Sequence, residues 1–202
     1  MFATGGRVVA ACGVLDATFI PRGPGQIAVI DPADDHVIST FPLTTANPIG
    51  FLAAGLGGEA LIGTVPKYGD PSVGCVERIQ VAGTPASKGC LVSNMMLGGY
   101  VAHLGGTDPT GATAWAVVYG SAPAHAVPIA LISGTPGTAL TAPSGSAIAD
   151  LATCPSGDLI GLIKPASGLG GFQRYQADGT ARYTDPRPFG RAPAYTPSVV
   201  CD

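Results

Sequence analysis

Two side chains that could transfer protons or hold a metal ion are His103 and Asp150, which lie in separate apolar runs of the chain. An imidazole and a carboxylate at one site can act as base and acid or as metal ligands, and Asp108 could supply a third ligand. The alternative is that these polar side chains only hold water inside the fold. The chemistry therefore depends on whether the elements that carry them converge.

The five cysteines are too widely spaced for the CxxC pair of a metal knuckle. They are Cys12, Cys75, Cys90, Cys154 and Cys201. Cys75 and Cys90 flank one expected hairpin and could form a disulfide in an oxidising compartment. The alternative is two small buried side chains, and an odd count leaves at least one free thiol.

The segment GVLDATFIPRGPG, residues 13–25, is the longest expected connection between a second and a third strand. It carries Phe19, Ile20 and Arg22 among glycines and prolines. Exposed apolar groups beside one arginine are typical of a surface that binds a partner. The segment could instead fold back over the body of the protein, so both interpretations stay open.

The composition excludes several classes of protein. Hydrophobic residues are 46% and charged residues 11% of the chain, which gives enough apolar surface for a folded core despite 30 Gly and 19 Pro. The net charge is −3 and the Lys and Arg residues are scattered, which argues against binding to nucleic acid. No apolar run reaches the roughly 18 residues that a membrane-spanning helix needs.

Short runs of β-branched and aromatic residues recur along the chain between Gly, Pro, Asp and Ser, whereas helical periodicity is almost absent. Three segments share an apolar run, a Gly-rich turn and a second apolar run: residues 48–66, 98–120 and 146–165. Each is followed by an expected hairpin, at residues 74–94, 127–143 and 170–186. Residues 25–43 form the same kind of hairpin near the amino terminus.

Four strands in a repeat of about 49 residues predict an all-β fold, a β-propeller of four-stranded antiparallel blades in a single domain over residues 1–202. Three blades are expected near residues 48–97, 98–145 and 146–190. The remaining blade would combine residues 1–47 with 191–202, because its first strand is missing before residues 7–13 and residues 194–202 resemble a solitary first strand.

Pairing of these two ends, near Val9 and Val199, would close a ring of about four blades and leave no unpaired sheet edge. The chain could instead be half of a larger ring that a second copy completes. In either ring the first strands line the central channel. His103 and Asp150 fall at nearly corresponding positions of two successive first strands, so the repeat brings them toward one channel mouth.

The run IAVIDPADDHVISTFPLTTANPIGFLA, residues 27–53, resembles bacterial propeller repeats of the YVTN and NHL-like groups. The matching residues are Ile27, Val29, Ile30, Asp31, Pro32, Val37, Ile38, Thr40, Phe41, Asn47, Pro48 and Gly50, and the other blades lack the motif. The resemblance implies an extracytoplasmic propeller (periplasmic, cell-surface or secreted) that acts as a binding or scaffold module. It transfers no catalytic residue, and the chain shows no complete signal peptide.

Two functions are consistent with this sequence. The first is a non-enzymatic module that needs no cofactor and recognises a protein or carbohydrate partner through its loops, with Phe19, Ile20 and Arg22 as contacts. The alternative is a metal-dependent hydrolase or lactonase at the channel mouth. In that enzyme His103 and Asp150 would be catalytic, and His103, Asp108 and Asp150 would bind calcium or zinc.

Overall fold

The strands are short and the turns between them are rich in Gly, Pro and Asp, so the chain folds as a series of hairpins. A computed structural model describes residues 2–67, 70–120, 123–143, 145–167 and 170–188. These residues form four antiparallel sheets, each built from strands that follow one another in sequence. The helical structure within them is the short 3-10 turn Leu56–Gly58.

The first sheet contains β1 (Phe2–Thr4), β2 (Arg7–Cys12), β3 (Gln26–Ile30) and β4 (Val37–Pro42). The second contains β5 (Pro48–Ala54), β6 (Ala60–Thr64), β7 (Cys75–Gln80) and β8 (Ala86–Ser93). The third contains β9 (Tyr100–Thr107), β10 (Thr113–Tyr119) and β11 (His125–Ala130). The fourth contains β12 (Ser146–Thr153), β13 (Leu159–Pro165), β14 (Gly171–Tyr175) and β15 (Arg187–Pro188).

Successive sheets contact one another in chain order, as the blades of a propeller do. The first sheet meets the second through β1 and β5, the second meets the third through β5 and β9, and the third meets the fourth through β9 and β12. Between the described parts of the first and fourth sheets, no strand pair makes a comparable contact. The all-β propeller prediction is confirmed, and β1, β5, β9 and β12 are its innermost strands.

Apolar side chains fill the spaces between successive sheets, because alternate residues of each strand face a neighbouring blade. Val9, Ile27 and Val29 of the first sheet pack against Ile62 and Ile79 of the second. A second cluster lies between the second and third sheets, and a third cluster lies between the third and fourth. Removal of these side chains from water is the main stabilising term for a fold with so few charges.

The amino-terminal blade differs from expectation. Its first strand is not missing, because Phe2–Thr4 pairs with β2 and completes a four-stranded sheet within residues 2–42. Val9 is paired with Phe2 on one side and with Val29 on the other, so neither edge of β2 is open to the expected strand near Val199. Residues 189–202, which include that strand and Cys201, lie outside the described residues.

The third blade also departs from the repeat. Its outer hairpin, expected over residues 127–143, contains the regular strand β11, but the returning segment makes only the isolated bridges Ala126–Leu140 and Ile129–Pro136. Pro136 has no backbone N–H to donate, so a regular ladder cannot form there. The described parts of the other three blades each have four strands.

No helix in the described parts of the chain is long and apolar enough to cross a membrane.

Candidate functional site

The innermost strands border a cleft of about 740 Å³ at the centre of the sheets. Its walls come from β5, β9 and β12, with Phe2 of β1 at one side. The connections after β5 and β9 form its rim, through Gly55 and residues 108–111. Three successive first strands therefore contribute to one concave site, as the repeat predicts.

Each of these three strands loses its regular register where it lines the centre. In β9 an extra residue, Ala102, precedes His103, and in β12 an extra residue, Ala149, precedes Asp150. In β5 the register breaks between Ile49 and Ala53. Bulges commonly turn a side chain out of its expected direction near binding sites. Here the bulges of β9 and β12 directly precede His103 and Asp150, the two polar residues that the sequence singled out.

The structure brings His103 and Asp150 together. Nε2 of His103 lies 3.0 Å from the carbonyl oxygen of Ala149 and 3.4 Å from Oδ1 of Asp150. The same Oδ1 accepts the backbone N–H of Leu151 at 2.8 Å. Both side chains are largely buried, with 18% of His103 and 7% of Asp150 exposed.

These contacts decide which nitrogen of His103 carries a proton. A carbonyl oxygen only accepts hydrogen bonds, so Nε2 must donate to Ala149. A protonated Nε2 cannot bind a metal ion, because a ligating nitrogen needs its lone pair. The pair is therefore arranged as an oriented imidazole beside a carboxylate, and Asp150 faces the cleft.

Phe51 and Gly50 of β5 lie next to His103. The ring of Phe51 lies 6.4 Å from that of His103, centroid to centroid, and 56% of Phe51 is exposed although it lines the cleft. Gly50 has a φ of +73°, and a Cβ there would overlap the carbonyl oxygen of Ala102 and lie 2.7 Å from Cβ of His103. Glycine is thus required where β5 crosses the bulge of β9.

Tyr119 is a member of this cluster that the sequence analysis missed. Its hydroxyl donates to the carbonyl oxygen of Ala149 at 3.4 Å, and its ring stacks on Tyr100 at 6.1 Å between centroids. Burial, and secondarily the neighbouring Tyr100 and Asp150, raise the pKa of Tyr119. It therefore stays protonated near neutral pH, and its hydroxyl remains a donor. No sequence signal linked residue 119 to residue 149, because the contact crosses between blades.

Asp108 does not join this pair. Its Oδ1 accepts the Thr110 hydroxyl and the Ala112 backbone N–H, both at 2.9 Å, within the β9–β10 turn. Although partial burial raises the pKa of Asp108, these bonds and others from Thr113 outweigh it and lower the pKa overall. In the described chain, the ligating atoms of His103, Asp108 and Asp150 do not gather into one metal-sized group. The predicted three-residue metal site is not assembled.

Within the described parts of the chain, two other groups each bring three potential metal ligands together. Asp31, Asp34 and His36 lie on the exposed β3–β4 turn, where Nδ1 of His36 contacts Oδ1 of Asp34 at 2.5 Å. Cys75 and Cys90 lie beside Glu77, but their sulfur atoms are joined in a disulfide. Neither group faces the channel cleft.

The 13–25 loop is organised around Asp16. Oδ1 of Asp16 accepts the backbone N–H groups of Thr18 and Ile20 at 2.9 and 3.0 Å, and also the Thr18 hydroxyl at 2.8 Å. Its Oδ2 pairs with Arg22, at 2.8 Å from Nε. The backbone bond from Ile20, followed by the hydroxyl of Thr18, lowers the pKa of Asp16 from 3.8 to about 2. The loop is therefore a defined structure.

This loop presents its apolar residues to solvent. Phe19 is 78% exposed and has a φ of +61°, a left-handed conformation that non-glycine residues rarely adopt. Ile20 beside it is also exposed, as are Val14 and Leu15. Of the two interpretations left open by the sequence, the structure shows Phe19 and Ile20 facing solvent; Arg22 pairs with Asp16 while 65% of its side chain stays exposed.

Further exposed apolar side chains lie at the same end of the sheets. The connections β2–β3, β6–β7 and β8–β9 leave the sheets at one end, which we call the loop face. Val73 is in the second of these connections, and Met95 and Met96 are in the third; all three are exposed. Asn94 ties the last two connections together through a 3.0 Å hydrogen bond from Nδ2 to the carbonyl oxygen of Val73.

Glu77 is a buried carboxylate with a structural environment. It accepts the backbone N–H and the hydroxyl of Thr44, both at 2.8 Å, and the hydroxyls of Thr45 and Ser87. Thr44 and Thr45 belong to the link between the first and second sheets, so Glu77 fixes that link to the outer half of the second blade. Cys12 is an exposed free thiol.

The fold resembles those of several solved proteins at low sequence identity. Hydrazine synthase of Kuenenia stuttgartiensis matches 81% of this chain and 43% of its own, with a TM-score of 0.57 at 11% identity. For a luciferin-regenerating enzyme, the match covers 91% of this chain and 62% of that protein, with a TM-score of 0.55 at 14% identity. For a protein of unknown function from Bacteroides caccae, the match covers 94% of this chain and 72% of that protein, with a TM-score of 0.52 at 13% identity. Neither a protein-family description nor a curated sequence matches the chain.

These likenesses show the fold alone, because every identity is far below 25%. The chain spans less than two thirds of the length of the first structures that it matches. Together with the four sheets, they define the protein as a β-propeller. They do not extend to the YVTN and NHL-like groups, which remain a resemblance of residues 27–53.

Proposed function

We propose that this propeller is a non-enzymatic binding module that recognises a protein partner through its loop face, with Phe19 and Ile20 as the main contacts. The observation that carries the proposal is the state of Phe19, which is held in a left-handed conformation and 78% exposed. Such a conformation costs about 1–3 kcal/mol and persists only where the surroundings enforce it. Asp16 enforces it through four donors from its own loop.

The chemistry of the loop favours a protein partner over a carbohydrate. A sugar bound against the Phe19 ring would also need free hydrogen-bonding groups beside the ring, but both carboxylate oxygens of Asp16 are already bound within the loop. The guanidinium of Arg22 is engaged by the same carboxylate. What remains for a partner is a ridge of Phe19, Ile20 and their exposed neighbours, and apolar anchors of this kind fit pockets on proteins. A rigid loop also loses little entropy on binding.

The remainder of the loop face supports the same role. Met95, Met96 and Val73 add exposed apolar surface around Asn94. Methionine side chains adapt to differently shaped partners. We further propose an extracytoplasmic location, because the Cys75–Cys90 disulfide is the kind of bond that oxidising compartments maintain.

A displayed library of random peptides, selected on the wild-type protein, tests the proposal. Peptides enriched on the wild type should bind Phe19→Ser at least about tenfold more weakly, because a central aromatic anchor commonly contributes more than 1 kcal/mol. Affinity is measured with a synthetic copy of each peptide by fluorescence anisotropy.

Ile132→Ser is the matched control. Ile132 is 82% exposed and follows β11 at the opposite end of the sheets, so it has similar exposure without belonging to the loop face. The control should bind the peptides as the wild type does. Failure to enrich any peptide, or equal weakening by both substitutions, would refute recognition through Phe19.

The enzymatic alternative has weaker support. His103 and Asp150 meet beside the cleft, which Asp150 alone of the two lines, and their contact is compatible with proton transfer. Asp108 does not join them, however, and Nε2 of His103 is a donor. A calcium- or zinc-dependent hydrolase or lactonase would need a different ligand set from the three residues expected. We therefore favour the binding module.

A further inference from the structure

The channel cleft has the size and lining of a small-molecule site, and the loop face does not use it. Its volume of about 740 Å³ lies within the range of roughly 300–1,000 Å³ found for ligand pockets. Its walls are mainly apolar, formed by Leu52, Leu104 and Leu151 on three different strands. The rim lies at the end of the sheets opposite the loop face, so one protein could occupy that face while the cleft stays open.

The charge of the cleft has one sign. Among the described residues that line it, Asp108 and Asp150 are the ionisable ones, and none is Lys, Arg or His. Asp150 is nearly buried, so a negative charge on it is poorly screened by water. Hydrogen bonds from Thr110 and Ala112 help keep Asp108 ionised near neutral pH. An apolar cleft with two carboxylates attracts cations and repels anions.

Phe51 adds a second preference for a cation. It is more than half exposed although it belongs to a concave wall, so its ring is accessible from the cleft. The face of an aromatic ring attracts an ammonium group, and more strongly in a partly desolvated site. Phe51 and Asp150 are linked through His103, which contacts both. The ring and the carboxylate therefore belong to one small region of the cleft.

We propose that the channel cleft binds a small organic amine, with its ammonium group at Asp150 and Phe51 and its apolar body against Leu52, Leu104 and Leu151. The carboxylates select the charge and the leucines select the apolar body. No covalent step is involved. The site is independent of the loop face, since it shares no residue with the 13–25 loop.

Three probes of nearly equal size and different charge test this proposal on the wild-type protein: phenethylamine, phenethyl alcohol and phenylacetate. The amine is protonated at neutral pH, as a lysine side chain is. We expect it to bind about tenfold more tightly than the alcohol, and phenylacetate to bind most weakly, in titrations followed by protein NMR. The preference for the amine should decrease with added salt. Equal binding of amine and alcohol, or no binding of the amine at millimolar concentration, would overturn the proposal.

Substitutions then locate the site. Asp150→Asn should reduce amine affinity to that of the alcohol and leave the alcohol unaffected, whereas Asp178→Asn, an exposed turn carboxylate outside the cleft lining, should change neither. Phe51→Leu keeps the apolar wall and removes the ring, so it should weaken binding of the amine alone. This variant tests the site if Asp150→Asn fails to fold.

Phe19→Ser should leave amine binding intact, which separates this site from the loop face. Amine binding that survives both cleft substitutions would place it elsewhere and refute the assignment.

Discussion

The 13–25 loop and the channel cleft each depend on one aspartate, but the two carboxylates are used differently. In the loop, Asp16 binds donors from its own segment, and the apolar side chains of Phe19 and Ile20 face solvent. In the channel, Asp150 lines a mainly apolar cleft and lies beside the His103 imidazole. In the loop, a hydrogen-bonded carboxylate holds a backbone that exposes apolar side chains. In the cleft, a carboxylate is part of a mainly apolar wall.

This difference separates carboxylates that only hold a local conformation from carboxylates that also line a cavity. A carboxylate whose oxygens are all bound by nearby donors stabilises a conformation, and its removal should alter stability. A carboxylate that lines a cavity can also bind what enters that cavity. Glu77 and Asp16 test the role of the bound carboxylates, and Gly50 tests the construction of the channel.

Glu77 should give the largest effect. It is fully buried and accepts bonds from Thr44, Thr45 and Ser87, so Glu77→Ala leaves several donors without an acceptor. Because each such loss costs about 1–3 kcal/mol, we expect a decrease of about 4 kcal/mol in the free energy of unfolding, measured by urea denaturation. Asp178→Ala, at an exposed turn, should cost less than about 1 kcal/mol. A small effect of Glu77→Ala would mean that complete internal bonding does not identify a structural carboxylate.

The propeller was predictable because each blade repeats the same alternation of apolar runs and turns. The short first strand was missed because Phe2–Thr4 has three residues and no alternation to detect, and its role depends on pairing with β2. The irregular outer edge of the third blade was missed because Pro136 lies in a run that otherwise looks like a hairpin. Local patterns thus predicted the repeat, and departures from it depended on pairing.

The candidate site was predictable to a similar extent. Corresponding positions in two blades placed His103 near Asp150, and glycines with prolines predicted a long loop around Phe19, either exposed or folded back. The bond from Thr18 to Asp16 and the contact of Tyr119 with Ala149 were not foreseen. The first depends on the exact turn geometry and the second on packing between blades, and neither follows from residue spacing.

Gly50 tests whether the channel depends on the close crossing of β5 and β9. A Cβ in Gly50→Ala would overlap the carbonyl oxygen of Ala102 and would require an unfavourable positive φ. We expect destabilisation of about 3 kcal/mol, since backbone strain and overpacking each contribute about 1–3 kcal/mol.

Gly98→Ala is the matched control for Gly50→Ala. Gly98 also has a positive φ, of +78°, but a methyl group added there would meet no atom within 4 Å, so only the backbone term of about 1 kcal/mol should remain. Urea denaturation compares the two, and NMR shifts in Gly50→Ala should centre on the channel and spare the 13–25 loop. Equal costs at both glycines would contradict the tight crossing.

The smallest expected effect concerns Asp16, and it is observed by titrating the carboxyl group of Asp16 with acid. Its pKa in the folded protein, about 2, lies below the ordinary value of 3.8, so its bonds stabilise the loop above that value and are lost as the pH falls toward 2. Carbon NMR of the Asp16 carboxyl group should therefore show a midpoint near 2, with the amide signals of Thr18 and Ile20 changing at the same pH. Thr18→Val should raise this pKa more than Arg22→Gln, because the Thr18 hydroxyl contributes more to the shift than Arg22 does. A midpoint near 3.8 would show that the carboxylate does not hold the loop, and Phe19 would then lose the support on which recognition by the loop face depends.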